Sequence, residues 1–427
     1  MNQLILTIII ISIVYFFIFT NRRIRTTSSF FGAILVILVG LISFEKAISY
    51  IDFNKLGIII GVIIFTNIAK DSGMFQFLAI KVMRHSHGNP WLLLILLSLL
   101  TGILSSFFDE ITTVLFMANI TIALTSILGI SPLPFLISEI ISANIGGMAT
   151  YLGTPTNIMI GSAAHFSYLD FIYHALPVAV ILTIVNIYYF KIIFSKKLLE
   201  SKIPEHLLSR LNEVKESECI TDHILFKKIV ILVIIGIILM LFSHRIAADL
   251  AVIILFISLI LFFLTPEKST DFILSQIDWG IIFFLIGLNV LAGTMEEHGI
   301  IDILTNKMIQ LSRADFQYLH YLFLISTTFL SSFLDNIPIV NIAIPIIEHI
   351  VKEFPATAPV IWITIALGAN IGANGTLIGT ASNLIVAKIA EKNNQPIYFW
   401  HFFKISFPLV IIDLFVVSIY FYFRYLY

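Results

Sequence analysis

The sequence predicts an all-α polytopic membrane protein folded from two inverted repeats, with about ten transmembrane helices, two re-entrant hairpins and two unwound, discontinuous helices. Three observations predict it. Of the 427 residues, 59% are hydrophobic and 12% charged, whereas soluble domains carry about 25% charged residues. Apolar runs long enough to span a bilayer follow one another from Leu4 to the C-terminus. Two polar stretches inside those runs each occur twice, at one separation of 226 residues.

The duplication is explicit. Leu104 to Ile111, L-S-S-F-F-D-E-I, returns as Leu330 to Ile337, L-S-S-F-L-D-N-I. Ala143 to Asn157 (A-N-I-G-G-M-A-T-Y-L-G-T-P-T-N) returns as Ala369 to Asn383 (A-N-I-G-A-N-G-T-L-I-G-T-A-S-N). Aligned without a gap, Leu104–Ile120 and Ser142–Met159 match their counterparts at 16 of 35 positions; chance would give roughly two or three, so this is an internal repeat. Carboxylates and helix breakers at matched places in two apolar halves mark the site of an inverted-repeat secondary transporter.

The first apolar segment, Leu4–Phe19, is followed by Arg22, Arg23 and Arg25 and by no small-residue cleavage site. It reads as a transmembrane helix with its N-terminus outside, not a signal peptide. Spans at Phe30–Ile48 and Leu56–Ala69 come next, then an amphipathic stretch, Met74–His87. Trp91–Phe108 and Ile111–Leu128 are parted only by Asp109–Glu110. Leu133–Ala164 is interrupted at Gly153–Asn157, and Phe171–Phe194 ends the half. Ser195 to Phe226 is long and hydrophilic. The second half offers Lys228–Phe242, Ala247–Leu264, Ile277–Gly293 and an amphipathic connector, Met295–Asp315. Tyr318–Leu334 and Ile337–Val351 are parted by Asp335–Asn336, Pro359–Ile389 is interrupted at Gly379–Asn383, and Trp400–Tyr422 closes the chain. The expected organisation is a leading helix (1–29), a first repeat (30–195, hairpin 91–128, broken helix 133–164) and a cytoplasmic linker (196–226). A linking helix (227–246) and a second repeat (247–427, hairpin 318–351, broken helix 359–389) complete it.

With the N-terminus outside, the inner face receives 18 of the 25 Lys and Arg, including Lys196, Lys197, Arg210, Lys215, Lys227 and Lys228. The outer face receives Lys46, Lys55, Arg245, Lys307, Arg313, Lys352 and Arg424. The positive-inside rule then sets both termini outside. The two-residue connectors Asp109–Glu110 and Asp335–Asn336 are too short to reach far-side water, so the pairs read as hairpins with tips in a protein-lined cavity.

Asp109 and Asp335 stand where a helix N-cap belongs, and Thr154 precedes Pro155, the pairing of N-cap and first-turn proline. Thr380 or Ser382 fills the matching place. Four helix N-termini therefore converge, each with unpaired N–H groups and about half a positive charge. Such ends bind anions or oxygen-rich neutral solutes. Asp109, Glu110 and Asp335 oppose them, and the surplus carboxylate suits proton exchange. Glu110 has Asn336 as its counterpart; Thr112 and Thr113 face Pro338 and Ile339 and are asymmetric candidates for substrate contact. Asn157 and Asn383 either bind solute or satisfy broken backbone; Asn144 and Asn370 either bind solute or join helices. Thr156, Asn374 and Thr376 complete the polar breaks, and Gly153 and Gly379 permit the unwinding. Glu139, Glu348 and Asp413 are secondary intramembrane acids, and His165, His174 and His298 read as interfacial.

At these motifs, S-S-F-F-D-E-I-T-T-V-L, A-N-I-G-G-M-A-T-Y-L-G-T-P-T-N-I-M-I, S-S-F-L-D-N-I-P-I-V and G-A-N-G-T-L-I-G-T-A-S-N, the sequence resembles the arsenite permease, NhaD sodium–proton antiporter and P-protein group. That group falls within the ion transporter superfamily, beside citrate-type and divalent-anion sodium symporters. The resemblance runs from about Phe30 to Tyr422. It implies a scaffold domain, a transport domain bearing the hairpins and broken helices, and elevator-like movement between them. Glu110 departs from relatives that often have Asn after the Asp, and the acid tips depart from the Ser-Asn-Thr tips of carboxylate symporters.

The function expected is proton-coupled efflux of arsenite or antimonite as neutral hydroxides. A sodium–proton antiporter is the alternative, and a sodium-coupled anion or dicarboxylate symporter ranks below it. No enzyme activity and no cofactor is expected, only H+ or Na+ as coupling ion. An intramembrane aspartyl protease would also use two buried aspartates, but Phe108-Asp109 and Leu334-Asp335 lack the Tyr-Asp and Gly-x-Gly-Asp patterns. The partners expected are a small inorganic solute and the lipid bilayer of the cell membrane, with room for a homodimer. Net charge −1 argues against nucleic acid. One cysteine, Cys219, excludes a disulfide or thiolate metal site within the chain.

Overall fold

The computed structural model describes residues 2–20, 24–199, 220–246, 248–265, 270–312, 315–355 and 358–426. Arg22, Arg23, Arg210, Lys215, Cys219, Arg313 and most of the linker lie outside these, as do the side chains of Lys196 and Lys197. All the regular structure described is helical. The first half holds α1 (Asn2–Thr20), α2 (Arg25–Leu38), α3 (Phe44–Ser49), α4 (Phe53–Lys70) and α5 (Met74–His85). It continues with α6 (Pro90–Phe107), α7 (Glu110–Leu128), α8 (Leu133–Gly147), α9 (Pro155–Ala163) and α10 (Tyr168–Leu199). The second half holds α11 (His223–Leu241), α12 (Ser243–Ile246), α13 (Leu250–Phe263), α14 (Thr270–Ser275), α15 (Trp279–Glu297) and α16 (Ile300–Leu311). Then come α17 (Phe316–Phe333), α18 (Asn336–Glu353), α19 (Ala358–Ala373), α20 (Ala381–Lys392) and α21 (Phe399–Phe421).

The duplication extends to start signals that the two motifs alone did not cover. Helices starting at Phe53, Met74, Pro90, Glu110 and Pro155 have counterparts starting at Trp279, Ile300, Phe316, Asn336 and Ala381, each 226 residues on. The chemistry of the starts is kept. Asp52 caps α4 as Asp278 caps α15, Gly73 and Gly299 open α5 and α16 with positive φ, and Asn89 and Asp315 cap α6 and α17. A side-chain oxygen at such a start satisfies N–H groups the helix cannot.

Register shows the inversion. Thr26 and Ser29 of α2 donate to Gly280 O and Phe284 O (3.1 and 3.0 Å), so α2 and α15 run parallel. Lys55 at the start of α4 bonds Asn289, and Lys70 at its end bonds Gln276, so α4 runs antiparallel to α15. Ser258 of α13 donates to Gly61 O of α4 at 2.7 Å, with Gly57 against Ala251 and Leu255 and Gly61 against Ile254, a parallel pair. Thus α13, the counterpart of α2, runs opposite to α2. The close crossings at Gly57 and Gly61 are those membrane helices use where no hydrophobic effect drives them together.

The hairpins obey the same register. Ser105 donates to Ala143 O (2.8 Å), and Ser331 donates to Ala369 O (2.7 Å), so α6 runs beside α8, and α17 beside α19, each pair parallel. Helices α7 and α18 follow the two tips, with α6 packed directly on α8 and α17 on α19. Each hairpin's return helix packs on the other repeat's second half-helix, α7 on α20 and α18 on α9. The bond from Ser382 to Glu110 sets the first tip at the start of α20, beside the second repeat's unwound stretch.

Several boundaries differ from those expected. The span expected at Phe30–Ile48 is two helices, because Gly40 adopts φ +76 between α2 and α3. The breaks start earlier than Gly153 and Gly379, since α8 ends at Gly147 and α19 at Ala373. Helix α10 runs to Leu199, past the expected start of the linker. Eight helices among the described residues are individually long and apolar enough to cross a membrane, α6 and α7 of the first hairpin among them. The broken spans α8–α9 and α19–α20 fall short individually because each is divided, and α2 and α13 are only 14 residues long. Lys55, counted among outer-surface charges, is buried at 4% exposure.

Candidate functional site

At the first tip, α6 ends and Phe108 turns the chain in extended conformation (φ −114, ψ 163). Asp109 then caps α7, its Oδ2 accepting from Thr112 N at 2.9 Å and Thr112 Oγ1 at 3.0 Å. Glu110, the first residue of α7, is buried and accepts a hydrogen bond from Ser382 Oγ in the first turn of α20. Two helix N-termini from opposite repeats therefore meet at this carboxylate, where their partial positive charges favour an anion. Glu110 also stands close enough to Asp109 and Asp335 for their charges to act on it. The acids of both tips share one electrostatic field.

Asp335 caps α18 through Ile337 N at 3.2 Å, and its Oδ2 takes Arg25 Nη1 at 2.5 Å. Arg25 stacks on the Phe284 ring at 5.2 Å. The sequence reading placed Arg25 among positive charges after the first helix and missed this role. A signal was present: the helix opens on five consecutive polar residues, Arg25 to Ser29, before an apolar remainder. Asn336 is buried beside Asp335.

The breaks are held by reciprocal asparagines. Asn157 donates to Gly147 O and Thr150 O (3.1 and 2.8 Å), and Asn383 donates to Ala373 O and Thr376 O (2.8 and 2.9 Å). The amide oxygen of each is met by the opposite repeat. Asn370 Nδ2 reaches Asn157 Oδ1 at 2.9 Å, while Asn144 Nδ2 reaches Asn383 Oδ1 at 3.2 Å and Asn374 Oδ1 at 2.8 Å. Thr154 caps α9 at Asn157 N and bonds the Thr156 hydroxyl; Thr380 occupies the matching position on α20 without a side-chain cap bond. Thr150 and Thr376 tie the breaks to the hairpins through Ser106 O and Ser332 O. Gly153 and Gly379 are required by close approach, since a Cβ there would lie 2.2 Å from Gly147 O and 2.4 Å from Ala373 O.

Within this centre, Thr113 Oγ1, Asn144 Oδ1, Asn370 Oδ1 and Asn374 Nδ2 are buried without a hydrogen-bond partner. They are two amide acceptors, one donor and one hydroxyl, a mixed set. Among the described residues no three His, Cys, Asp or Glu side chains are grouped as a metal site.

The secondary acids have partners of their own. Glu139 Oε1 accepts from Thr121 at 2.5 Å, and Asn186, with its amide turned, donates to Asp413 at 2.8 Å. A separate cavity of about 320 Å3 lies between the start of α4, the end of α15, α9 and α18. Lys55, Asn289, Asn341, His165 and Glu348 line it. Lys55 Nζ and Asn341 Nδ2 both donate to Asn289 Oδ1, at 2.9 and 3.1 Å. His174 meets Tyr425 OH at 2.6 Å, and His298 meets Leu41 O at 3.1 Å.

Comparison with known proteins agrees with this architecture. The family model described as citrate transporter matches residues 14–291 and 243–427, together nearly the whole chain. The chain is 28% identical to a 46 kDa membrane protein of Mycobacterium leprae, covering 100% of this chain and 99% of that protein. It is 27% identical to an uncharacterized transporter of Mycobacterium tuberculosis over 96% of each. It is 26% identical to the human P protein, covering 91% of this chain and 56% of that one. The fold resembles the YdaH transporter of Alcanivorax borkumensis, with a TM-score of 0.56 over 92% of this chain and 88% of that one, at 10% identity. With inverted helical repeats, spans of bilayer length and a family match across both halves, the chain is an integral membrane transporter belonging to the citrate transporter family.

Proposed function

We propose that this transporter exchanges protons for arsenite or antimonite, taken as neutral hydroxides and expelled from the cell. The observation that carries the reading is Glu110, a carboxylate hydrogen-bonded to Ser382 where two opposed helix N-termini meet. An acid at such a boundary can hold a proton in one state and release it in another, and intramembrane carboxylates are costly unless they work. The unpartnered groups of Thr113, Asn144, Asn370 and Asn374 support a solute offering both donors and acceptors, as a trihydroxide does. In this reading α2, α4, α13 and α15 form a scaffold, the hairpins and broken helices travel against it, and both termini face outside the cell membrane.

A second reading, sodium–proton antiport, is favoured by the adjacent carboxylates Asp109 and Glu110, the N-cap and the first residue of α7. The test is flux into everted membrane vesicles with an imposed pH gradient, comparing arsenite, antimonite and sodium. Accumulation of a metalloid that collapses with the gradient supports the first reading. Sodium-dependent collapse of the gradient supports the second. Movement of a dicarboxylate with neither would overturn both.

A further inference from the structure

Asp335 and its repeat counterpart Asp109 stand near different parts of the scaffold. Asp335 pairs with Arg25 at the start of α2, while Asp109 lies within electrostatic reach of Asp278, the N-cap of α15. Since α2 and α15 run parallel, both tips sit at the same end of the scaffold. At the other end the cavity of about 320 Å3 separates α4 and α15 from α18. There Lys55, 4% exposed, holds Asn289, which also takes Asn341 of α18.

Two independent arguments point Asp335 toward Lys55. Asn341 lies six residues beyond Asp335 on α18, a rise of about 9 Å at 1.5 Å per residue. Sliding the second hairpin along the scaffold by that length puts Asp335 where Asn341 now meets the Lys55–Asn289 pair. Exchanging the conformations of two inverted repeats is the second route. It gives Asp335 the environment Asp109 has now, and the counterpart of Asp278 is Asp52, the cap of the helix that carries Lys55. The cations themselves are not duplicated, because the counterparts of Arg25 and Lys55 are Ala251 and Ile281.

We propose that Lys55 is the counter-cation of Asp335 in the opposite-facing arrangement. The second hairpin passes its carboxylate from Arg25 to Lys55, two scaffold cations whose repeat counterparts, Ala251 and Ile281, offer the first hairpin no equivalent pair. Asp335 is then a permanently neutralised anion that sets two stopping points, and Asp109–Glu110 is left to carry the exchanged ion. Lys55 is a positioning residue. The inference rests on the moving-hairpin part of the proposed function.

Cross-linking tests it in the full chain, in proteoliposomes, in a Cys219→Ser background. Ile24→Cys with Leu334→Cys reports the present arrangement, and Asn54→Cys with Leu334→Cys reports the other. A short bismaleimide should join both pairs during exchange driven by a pH gradient with arsenite or, separately, sodium. Lys55→Gln should lower the Asn54–Leu334 product about tenfold or more while sparing Ile24–Leu334, and Lys55→Arg should restore it. The surviving Ile24–Leu334 product shows that the variant is folded. Absence of the Asn54–Leu334 product under every gradient, or indifference of its yield to Lys55→Gln, overturns the proposal. Both products with no flux of either solute would leave the charge transfer standing and remove the arsenite and sodium readings instead.

Discussion

Replacing Asn383 with alanine tests whether the reciprocal asparagines hold the breaks. The substitution removes two donations to buried carbonyls, Ala373 O and Thr376 O, and the acceptor that Asn144 uses across the repeat interface. Asn383 is fully buried, and a buried group left unpaired costs about 1–3 kcal/mol. Thr376 O keeps Gly379 N at 3.2 Å, so Ala373 O is the one left stranded and the cost is about 1–3 kcal/mol, still a sizeable part of the 5–15 kcal/mol that typically separates folded from unfolded domains. Asn157→Ala should cost more, about 2–6 kcal/mol, because it strands both Gly147 O and Thr150 O. Asn393→Ala is the control; its amide donates to Ile389 O at an exposed helix end and should change stability by under about 0.5 kcal/mol. The assay is thermal unfolding of detergent-solubilised protein followed by intrinsic tryptophan fluorescence. If Asn157→Ala and Asn383→Ala melt with the Asn393→Ala control, the broken helices are held by something else and the reasoning fails.

Other outcomes follow from the same contacts. Glu139→Gln keeps the acceptor for Thr121 and should melt within about 1 kcal/mol of the parent, whereas Glu139→Leu strands the hydroxyl and should cost about 1–3 kcal/mol in the same unfolding assay. Gly153→Ala places a Cβ 2.2 Å from Gly147 O; overpacking of this kind costs about 1–3 kcal/mol or more, visible as lost yield of monodisperse protein on size exclusion. Arg25→Gln releases the buried Asp335 from its cation, so the Asn54–Leu334 cross-link should rise at the expense of Ile24–Leu334. Ser382→Ala removes the donor that holds Glu110 and should slow exchange about tenfold with little change in melting temperature, measured as initial flux rate.

Much of this arrangement could be read before any coordinates. The hairpin tips, the capping aspartates and the Thr154–Pro155 start each depend on residues within one turn, where side-chain chemistry and backbone need coincide locally. The partners could not be read. That Asn144 reaches Asn383, or that Ser382 meets Glu110, depends on how two halves separated by over two hundred residues are brought together. Repeat symmetry shows which residues are equivalent, yet not which touch. Charge counting misled at Arg25 and Lys55 for a definable reason. The positive-inside rule treats each basic residue near a span end as solvated, while these two turn inward to an aspartate and an asparagine pair. The unwound stretches also began earlier than their glycines suggested. Helix α8 ends at Gly147, where Asn157 can reach back to the freed carbonyl, and Gly153 only permits the crossing that follows.

In the proposed exchange, Glu110 carries a proton against the moving solute. Luminal pH recorded with a trapped dye while arsenite or sodium is added to proteoliposomes tests that most directly, comparing the parent with Glu110→Gln. The parent should move protons in proportion to solute, and Glu110→Gln should reduce that proton movement by at least about tenfold while the protein stays folded. Proton movement unchanged in Glu110→Gln, or solute flux with no proton movement in the parent, would contradict it.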